Sequence, residues 1–351
     1  NARYPLSQVK TIEVDELKKS QARALVVSVT EGLDLVPAAR EYFTGQAVHS
    51  PYVAVIAANL IRRGELTAPL VVDAGLREQV LARYEELAAG EVDGVPTVTV
   101  RRLIAVYAAL GPVDDEGLRE ALAGFCSLPR AELLRLRKSL HDRGVLVVQG
   151  GLTRVVPDVL ADAILEGEAA VATDATGFTE ELWSAFSGTH AERLVLALGE
   201  LDWRLTRKGG PRVFDTVWEM VWSELRTADH DGLYHALGRL GGLAVTQPHT
   251  FVGALEDIRA RLEESEAGTD PTGDATTVAD GSCDAAEQAA EEQPPWWRVP
   301  ASPDDVRQRM PELYGQCAAS APDLLETVLD ALWTLRRHDA RPTHQHPAHA
   351  E

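Results

Sequence analysis

Residues 130–156 read RAELLRLRKSLHDRGVLVVQGGLTRVV, and this stretch gives the clearest indication of the fold. Leucines recur three and four positions apart in its first half, which predicts an amphipathic helix ending at Gly144. Two valine-rich runs follow, separated by Gly150 and Gly151. Paired glycines favour a tight hairpin turn because glycine accepts positive φ at both central positions. The stretch therefore predicts a helix followed by a two-stranded β-hairpin.

Two more helices are predicted immediately before this stretch, from TVRRLIAVYAALG at 99–111 and DEGLREALAGF at 115–125. Three helices followed by a hairpin is the element order of a winged helix, a variant of the helix-turn-helix motif. We therefore assign residues 95–168 to a winged-helix domain whose wing is the β-hairpin.

Helical patterns also precede this domain, so residues 1–94 are predicted to form a helical, lid-like domain. Ser50 and Pro51 predict the N-cap and first position of one of its helices. The three predicted helices are VDELKKSQARALVVSV (14–29), SPYVAVIAANLIRRG (50–64) and LREQVLARYEELAAG (76–90).

Two segments near the C-terminus resemble each other. LGRLGGLAVTQPHTFVGALEDI (237–258) aligns with LYGQCAASAPDLLETVLDALW (313–333) when Pro248 is placed on Pro322, at an offset of 74 residues. In this alignment Phe251 matches Leu325, and Leu255 matches Leu329. Tryptophans at helical spacing among leucines and valines predict core packing for Trp203, Trp218, Trp222 and Trp333.

An acidic stretch separates the two similar segments. Residues 263–295 contain ten carboxylates and no Lys or Arg, a composition that predicts a disordered insertion. Without these 33 residues the offset falls from 74 to 41, within the ~40–47-residue period of two-helix solenoid repeats. Residues 169–262 and 296–351 are therefore predicted to be helical repeats. The expected fold is mainly α: a helical lid, a winged-helix domain with a β-hairpin wing, then α-solenoid-like repeats.

The composition argues against several classes of protein. The chain of 351 residues has 34 Lys+Arg and 54 Asp+Glu, a net charge of −20 at pH 7, which disfavours a protein that coats nucleic acid. No apolar run reaches the ~18 residues of a membrane span, and no secretory signal is recognisable. The three cysteines are far apart without CxxC spacing, so we expect neither disulfides nor a metal site. These features predict a cytoplasmic protein.

Sequence motifs for catalysis are missing as well. The chain contains no GxxxxGKS/T, GxGxxG, GxSxG or HExxH motif, the patterns that hold phosphates, dinucleotides, a nucleophilic serine or zinc. We therefore expect this chain to be neither an enzyme nor the holder of a cofactor.

One surface of the predicted winged helix is basic. Arg130, Arg135 and Lys138 lie on its third helix, and Arg154 lies on the wing. Such cations contact phosphates and the major groove when a winged helix binds DNA. The same residues also suit a solvated helix face, or a face docked on an acidic neighbouring domain. A winged-helix nucleic-acid-binding transcriptional regulator is therefore one of two hypotheses for function.

The order of these parts resembles the region that follows the nucleotide-binding core in STAND-type signalling NTPases. SQVKTIEVDELKKSQARALVVSV (7–29) resembles the exit from that core. TGQAVHSPYVAVIAANLI (44–61) is similar to the lid helix whose proline, here Pro51, approaches the nucleotide. RVVPDVLADAIL (154–165) lies where the immune-receptor branch of the family carries a Met-His-Asp motif.

That alignment implies nucleotide contacts by Pro51, Pro157 and Asp158. Pro157 cannot donate a hydrogen bond, as the family's histidine does. Pro157 and Asp158 equally suit the start of a helix, where proline fits and an acid complements the dipole.

The resemblance implies a non-catalytic regulatory and sensor segment of a bacterial, antiviral-defence-like signalling protein. Later segments such as GELDWRL and VFDTVWEMVWSEL are similar to the part of such proteins beyond the winged helix. The segment would dock on a nucleotide-binding core encoded before Asn1 and release it when an unidentified ligand is sensed. Activation would bring copies together as a homo-oligomer. ADP or ATP would belong to the full-length parent, with no cofactor in this chain.

Overall fold

The structure is a computed structural model, and its helices and strands fall into two units, Asn1–Glu168 and Ala169–Glu351. The division coincides with the predicted end of the winged-helix domain. Both units are mainly helical and the strands are few and antiparallel, which confirms the prediction of a mainly α fold. The residues described are 16–49, 51–64, 76–114, 116–267 and 300–338.

The first unit begins with helices that share one apolar core. Its small and branched side chains, among them Ala22, Val26, Phe43, Ala57 and Val80, are fully buried. The three predicted helices are present, whereas α2 was not predicted; Gly45 in its middle weakens the helical signal. The predicted N-cap Ser50 lies outside the described residues. The helices are α1 (Lys19–Val29), α2 (Pro37–His49), α3 (Pro51–Arg62) and α4 (Leu76–Ala88).

The rest of the first unit is a winged helix of three helices and a three-stranded antiparallel sheet of order β1-β3-β2, followed by a fourth helix, α8. The predicted hairpin is confirmed: Leu146 pairs with Val155 and Gln149 with Leu152. Gly150 and Gly151 turn the chain with φ of +60° and +83°, which only glycine adopts without strain. The elements are α5 (Thr97–Leu110), β1 (Val113–Asp114), α6 (Arg119–Phe125), α7 (Arg130–Asp142), β2 (Leu146–Gln149), β3 (Leu152–Val155) and α8 (Asp158–Ala169).

The second unit opens with a small hairpin and continues as packed helices. Helix α9 changes direction at His190, whose φ of −133° is not helical. Helix α13 extends to Ala267, five residues into the stretch 263–295 that was predicted to be disordered; the rest of that stretch lies outside the described residues. The elements are β4 (Ala170–Val171), β5 (Asp174–Ala175), α9 (Phe178–Arg207), α10 (Asp215–Leu225), α11 (His230–Leu240), α12 (Leu243–Thr246), α13 (Pro248–Ala267), α14 (Pro303–Ser320) and α15 (Leu325–His338).

The tryptophans of the second unit do not all pack as predicted. Trp218 and Trp222 are buried and stack with ring centroids 6.0 Å apart. Trp203 and Trp333 are exposed, so their predicted core role is wrong. Arginines lie over both exposed rings, with the guanidinium of Arg207 4.7 Å from the Trp203 centroid. Helical spacing shows that apolar residues share one side of a helix, but it does not show whether another helix covers that side.

A buried carboxylate joins three segments of the second unit. Asp202 in α9 is 2% exposed. Its Oδ1 accepts hydrogen bonds from the backbone N–H groups of Val213 (2.6 Å) and Phe214 (3.2 Å), and its Oδ2 accepts one from Gln247 Nε2 (2.9 Å). Gln247 Nε2 also donates to the carbonyl of Gly199. These bonds fix the loop before α10 and the residue before α13 to the C-terminal part of α9.

We expect Asp202→Ala to lower the free energy of unfolding of this unit by about 3 kcal/mol, because three buried donors lose their acceptor. All seven tryptophans lie after residue 168, so urea unfolding followed by tryptophan fluorescence reports on this unit. Glu200→Ala, at an exposed carboxylate on the same helix, is the control and should change stability by less than about 0.5 kcal/mol. Equal losses in the two variants would contradict the role of Asp202.

Candidate functional site

Helix α7 presents one face to the core and the other to solvent. Leu133, Leu136 and Leu140 are fully buried against the winged-helix core. At 3.6 residues per turn, the opposite face therefore carries Leu134, Arg135, Lys138 and Asp142, all of which are exposed.

The predicted basic residues are on the surface, but not all of their charge is available to a ligand. Arg130, Arg135 and Arg154 are exposed. Lys138 Nζ is 2.5 Å from Asp142 Oδ2, and this hydrogen bond lowers the pKa of the Asp142 carboxyl. The outward face of α7 thus holds an acid as well as cations.

Apolar side chains are exposed beside these charges. On α7, Leu134 faces solvent, and on the wing Val148 and Leu152 do the same. Gln149 pairs with Leu152 across the hairpin, and Arg154, two residues along the same strand as Leu152, shares its face of the wing. Cations and large apolar groups together are typical of surfaces that bind proteins.

An ionic bridge fixes the winged helix to the preceding helices. Arg101 in α5 contacts Glu85 of α4 through Nη1, and its Nε donates a 2.9 Å hydrogen bond to Glu168 Oε1 of α8. The three side chains are largely buried, being between 15% and 23% exposed. Burial alone would lower the pKa of Arg101, and the bonds to Glu168 and Glu85 outweigh it and raise that pKa. The first unit therefore has a charged connection between its two parts.

A cleft of about 630 Å³ lies between these two parts, a volume in the range of small-molecule sites. Exposed Arg63, Arg143 and Asp142 belong to its lining, which is otherwise mostly apolar. With two cations and one carboxylate in its lining, the cleft keeps an excess of positive charge for an anionic group with an apolar neighbour. Its walls come from α3, α4 and the turn after α7, and include Val55, Ile56, Asn59, Leu60, Tyr84, Leu87 and Gly144.

The three residues implied by the resemblance are not brought into this cleft. Pro51 is exposed at the start of α3. Pro157 is buried after a cis peptide bond, and its carbonyl accepts hydrogen bonds from Leu160 and Ala161 at the start of α8. Asp158 is the exposed first residue of that helix. This position fits the helix-start interpretation, and a proline ring or a carboxylate offers a phosphate no hydrogen-bond donor.

The described ranges hold no group of three or more metal-ligating side chains. Cys126 and Cys317 are buried thiols, and burial raises the pKa of each to about 12. No helix in the described part of the chain is long and apolar enough to cross a membrane.

Sequence reasoning missed both the ionic bridge and the cleft. Arg101 is 16 residues from Glu85 and 67 from Glu168, so no local spacing relates them. The lining of the cleft comes from three separate segments, so no local pattern in the sequence reveals it either. Comparison of the chain with known protein families, with curated proteins and with solved structures gave no match.

We expect Arg101→Met to lower the free energy of unfolding of the first unit by about 2 kcal/mol, because Glu85 and Glu168 keep their burial and lose their counter-charge. The triple variant Arg101→Met, Glu85→Gln, Glu168→Gln should recover most of that loss. Far-UV circular dichroism during urea unfolding follows the helices of both units, and tryptophan fluorescence follows the second unit alone. The transition seen only by circular dichroism therefore measures both variants. Arg40→Met, at an exposed arginine on α2, is the control, and a triple variant no more stable than the single one would contradict the bridge.

Proposed function

We propose that this chain is a non-catalytic regulatory segment of a STAND-type signalling NTPase, located in the cytoplasm, whose winged helix docks on the nucleotide-binding core. The exposed apolar side chains on the helix and wing carry the proposal, because they adjoin the very residues that a DNA-binding winged helix uses. Leu134 lies between the cations of α7, and Leu152 shares a wing face with Arg154. The STAND resemblance supplies the identity of the partner domain.

Docking would hold the parent protein inactive. Burial of apolar area on the core would stabilise the closed state by about 25 cal/mol per Å², and the exposed arginines would pair with carboxylates at its rim. A ligand sensed by the later helices would favour the open state only to the extent that it binds that state more tightly. The proposal assigns ADP or ATP to the core, since neither Pro157 nor Asp158 offers a side-chain donor.

The ionic bridge of Arg101 and the cleft contribute to this docking. Because the bridge joins α4, α5 and α8, the helices before the winged helix present their surface to a partner together with it. The cleft would receive an acidic side chain or phosphate from the partner against Arg63 and Arg143. A preorganised surface of this kind loses less conformational entropy on binding.

In the docking proposal, the core encoded in the same gene should bind this chain in trans. We expect Leu134→Asp and Leu152→Asp each to weaken that binding at least ~10-fold, since each places a carboxylate in a desolvated contact. Isothermal titration calorimetry with ADP present gives the affinities. Val171→Asp, at an exposed valine of the second unit, is the matched control. Binding that is insensitive to both leucine variants, or a gene without such a core, would reject the proposal.

Nucleic-acid binding is the second candidate, favoured by the exposure of Arg130, Arg135 and Arg154. It predicts tight binding to duplex DNA with a steep salt dependence, about −0.9 in log–log slope for each phosphate neutralised. The docking proposal instead predicts a Kd above about 100 μM at physiological salt.

Fluorescence anisotropy with a labelled 30-base-pair duplex at two salt concentrations distinguishes them. We expect no tight binding by the wild-type chain and no further change in Arg135→Ala, Lys138→Ala. If binding is tight, steep in salt and lost in that double variant, the second candidate replaces the first. Arg40→Ala serves as the control for loss of a surface cation, because this arginine is exposed on α2 and outside the winged helix.

A further inference from the structure

Helix α15 carries a row of large apolar side chains that faces solvent. Leu325, Leu329 and Trp333 are four residues apart, so they form one stripe along the helix. They are 52%, 56% and 54% exposed. The other side of the helix packs in the second unit, next to α14, and its buried residues are Val328, Ala331, Leu332 and Leu335.

The corresponding positions of α13 are covered. In the alignment of Pro248 with Pro322, Leu325 matches Phe251 and Leu329 matches Leu255. Phe251 and Leu255 are 2% and 0% exposed, because other helices of the unit, including α12 and α14, pack on α13.

The start of α13 and the turn before α15 lie side by side. His249 Nε2 is 2.7 Å from Asp323 Oδ2, and the two residues are equivalent in the same alignment. Contact between equivalent positions is what stacked repeats produce. The exposed stripe on α15 is therefore equivalent to the surface of α13 that neighbouring helices cover.

The charges along α15 are separated by sign. Glu326 and Asp330 lie in its first half, and Arg336 and Arg337 lie in its last turn. Both guanidinium groups lie over Trp333, 5.4 and 5.8 Å from the ring centroid. A second α15 laid antiparallel would place its basic end along the acidic end of the first, whereas a parallel one would place like charges together.

We infer that the α15 stripe is the contact surface of a homodimer in which α15 packs antiparallel on the α15 of a second copy. The surface is self-complementary, as a two-fold interface requires. With the axis between Leu329 and Trp333, each Trp333 packs on the other copy's Leu329 and each Glu326 lies near the other copy's Arg337. This inference does not depend on the proposed docking of the winged helix, since it uses only the second unit.

One helix pair buries less than the ~1,200–2,000 Å² of a stable interface, so we expect a weak dimer with a Kd on the order of 10–100 μM. Sedimentation equilibrium of the full chain, loaded between about 5 and 300 μM, measures it. Leu329→Asp should raise the Kd at least ~10-fold, because each copy would bury a carboxylate at the centre of the contact. Val245→Asp, at an exposed valine of the same unit, is the control and should leave the Kd unchanged.

Charge reversal tests the antiparallel arrangement and does not rely on the apolar substitution. Glu326→Arg and Arg337→Glu should each weaken self-association about five-fold, because each homodimer then faces like charges. An equimolar mixture of the two variants should recover the wild-type Kd through a heterodimer. A chain that is monomeric throughout the loading range, a dimer insensitive to Leu329→Asp, or a mixture no tighter than the single variants would overturn the inference.

Discussion

The guanidinium of Arg101 holds together two carboxylates that are far apart in the first unit's sequence, one before it and one after it. Glu85 belongs to the helices before the winged helix, and Glu168 ends the winged helix itself. Partial burial of three charges costs desolvation free energy, and only complete pairing offsets that cost. The arrangement therefore tolerates one relative placement of α4, α5 and α8. The cleft between the two parts and the presentation of α7 both depend on that placement.

In the second unit, the buried carboxylate of Asp202 is also stabilised by hydrogen bonds, but its donors are of a different kind. Its carboxylate is satisfied by two backbone N–H groups and the Gln247 amide, so the anchoring groups are mostly fixed by the backbone. Backbone donors lose little conformational freedom on pairing, and a carboxylate that accepts from them is oriented tightly. Arg101 in the first unit and Asp202 in the second are thus buried or largely buried charged groups that each relate segments distant in sequence.

The sequence predicted the helices and the hairpin whose signals come from neighbouring residues. The 3.6-residue period located α1, α3, α4 and α7, and the Gly150-Gly151 pair located the hairpin, because these signals depend on neighbouring residues. Strand β1 escaped notice since two residues cannot show an alternating pattern. Arg101 and Asp202 gave no signal, because their partners are far along the chain. Trp333 was misplaced for a related reason: an apolar position on a helix is equally well explained by an internal neighbour and by a second molecule.

The effect of the net charge of −20 also depends on whether the charges lie near the winged-helix surface or far from it. Screening limits the reach of a surface charge to about 8 Å at physiological ionic strength. Acidic residues elsewhere in the chain therefore do not decide what the winged helix binds; its own surface does. There, Asp142 offsets Lys138, Leu134 adds apolar area to the exposed face of α7, and Leu152 shares a face of the wing with Arg154. A phosphate backbone offers no partner for exposed leucine and valine, whereas a protein surface offers partners for both the apolar and the cationic groups. The local composition, and not the total charge, is what favours a protein as the partner of this surface.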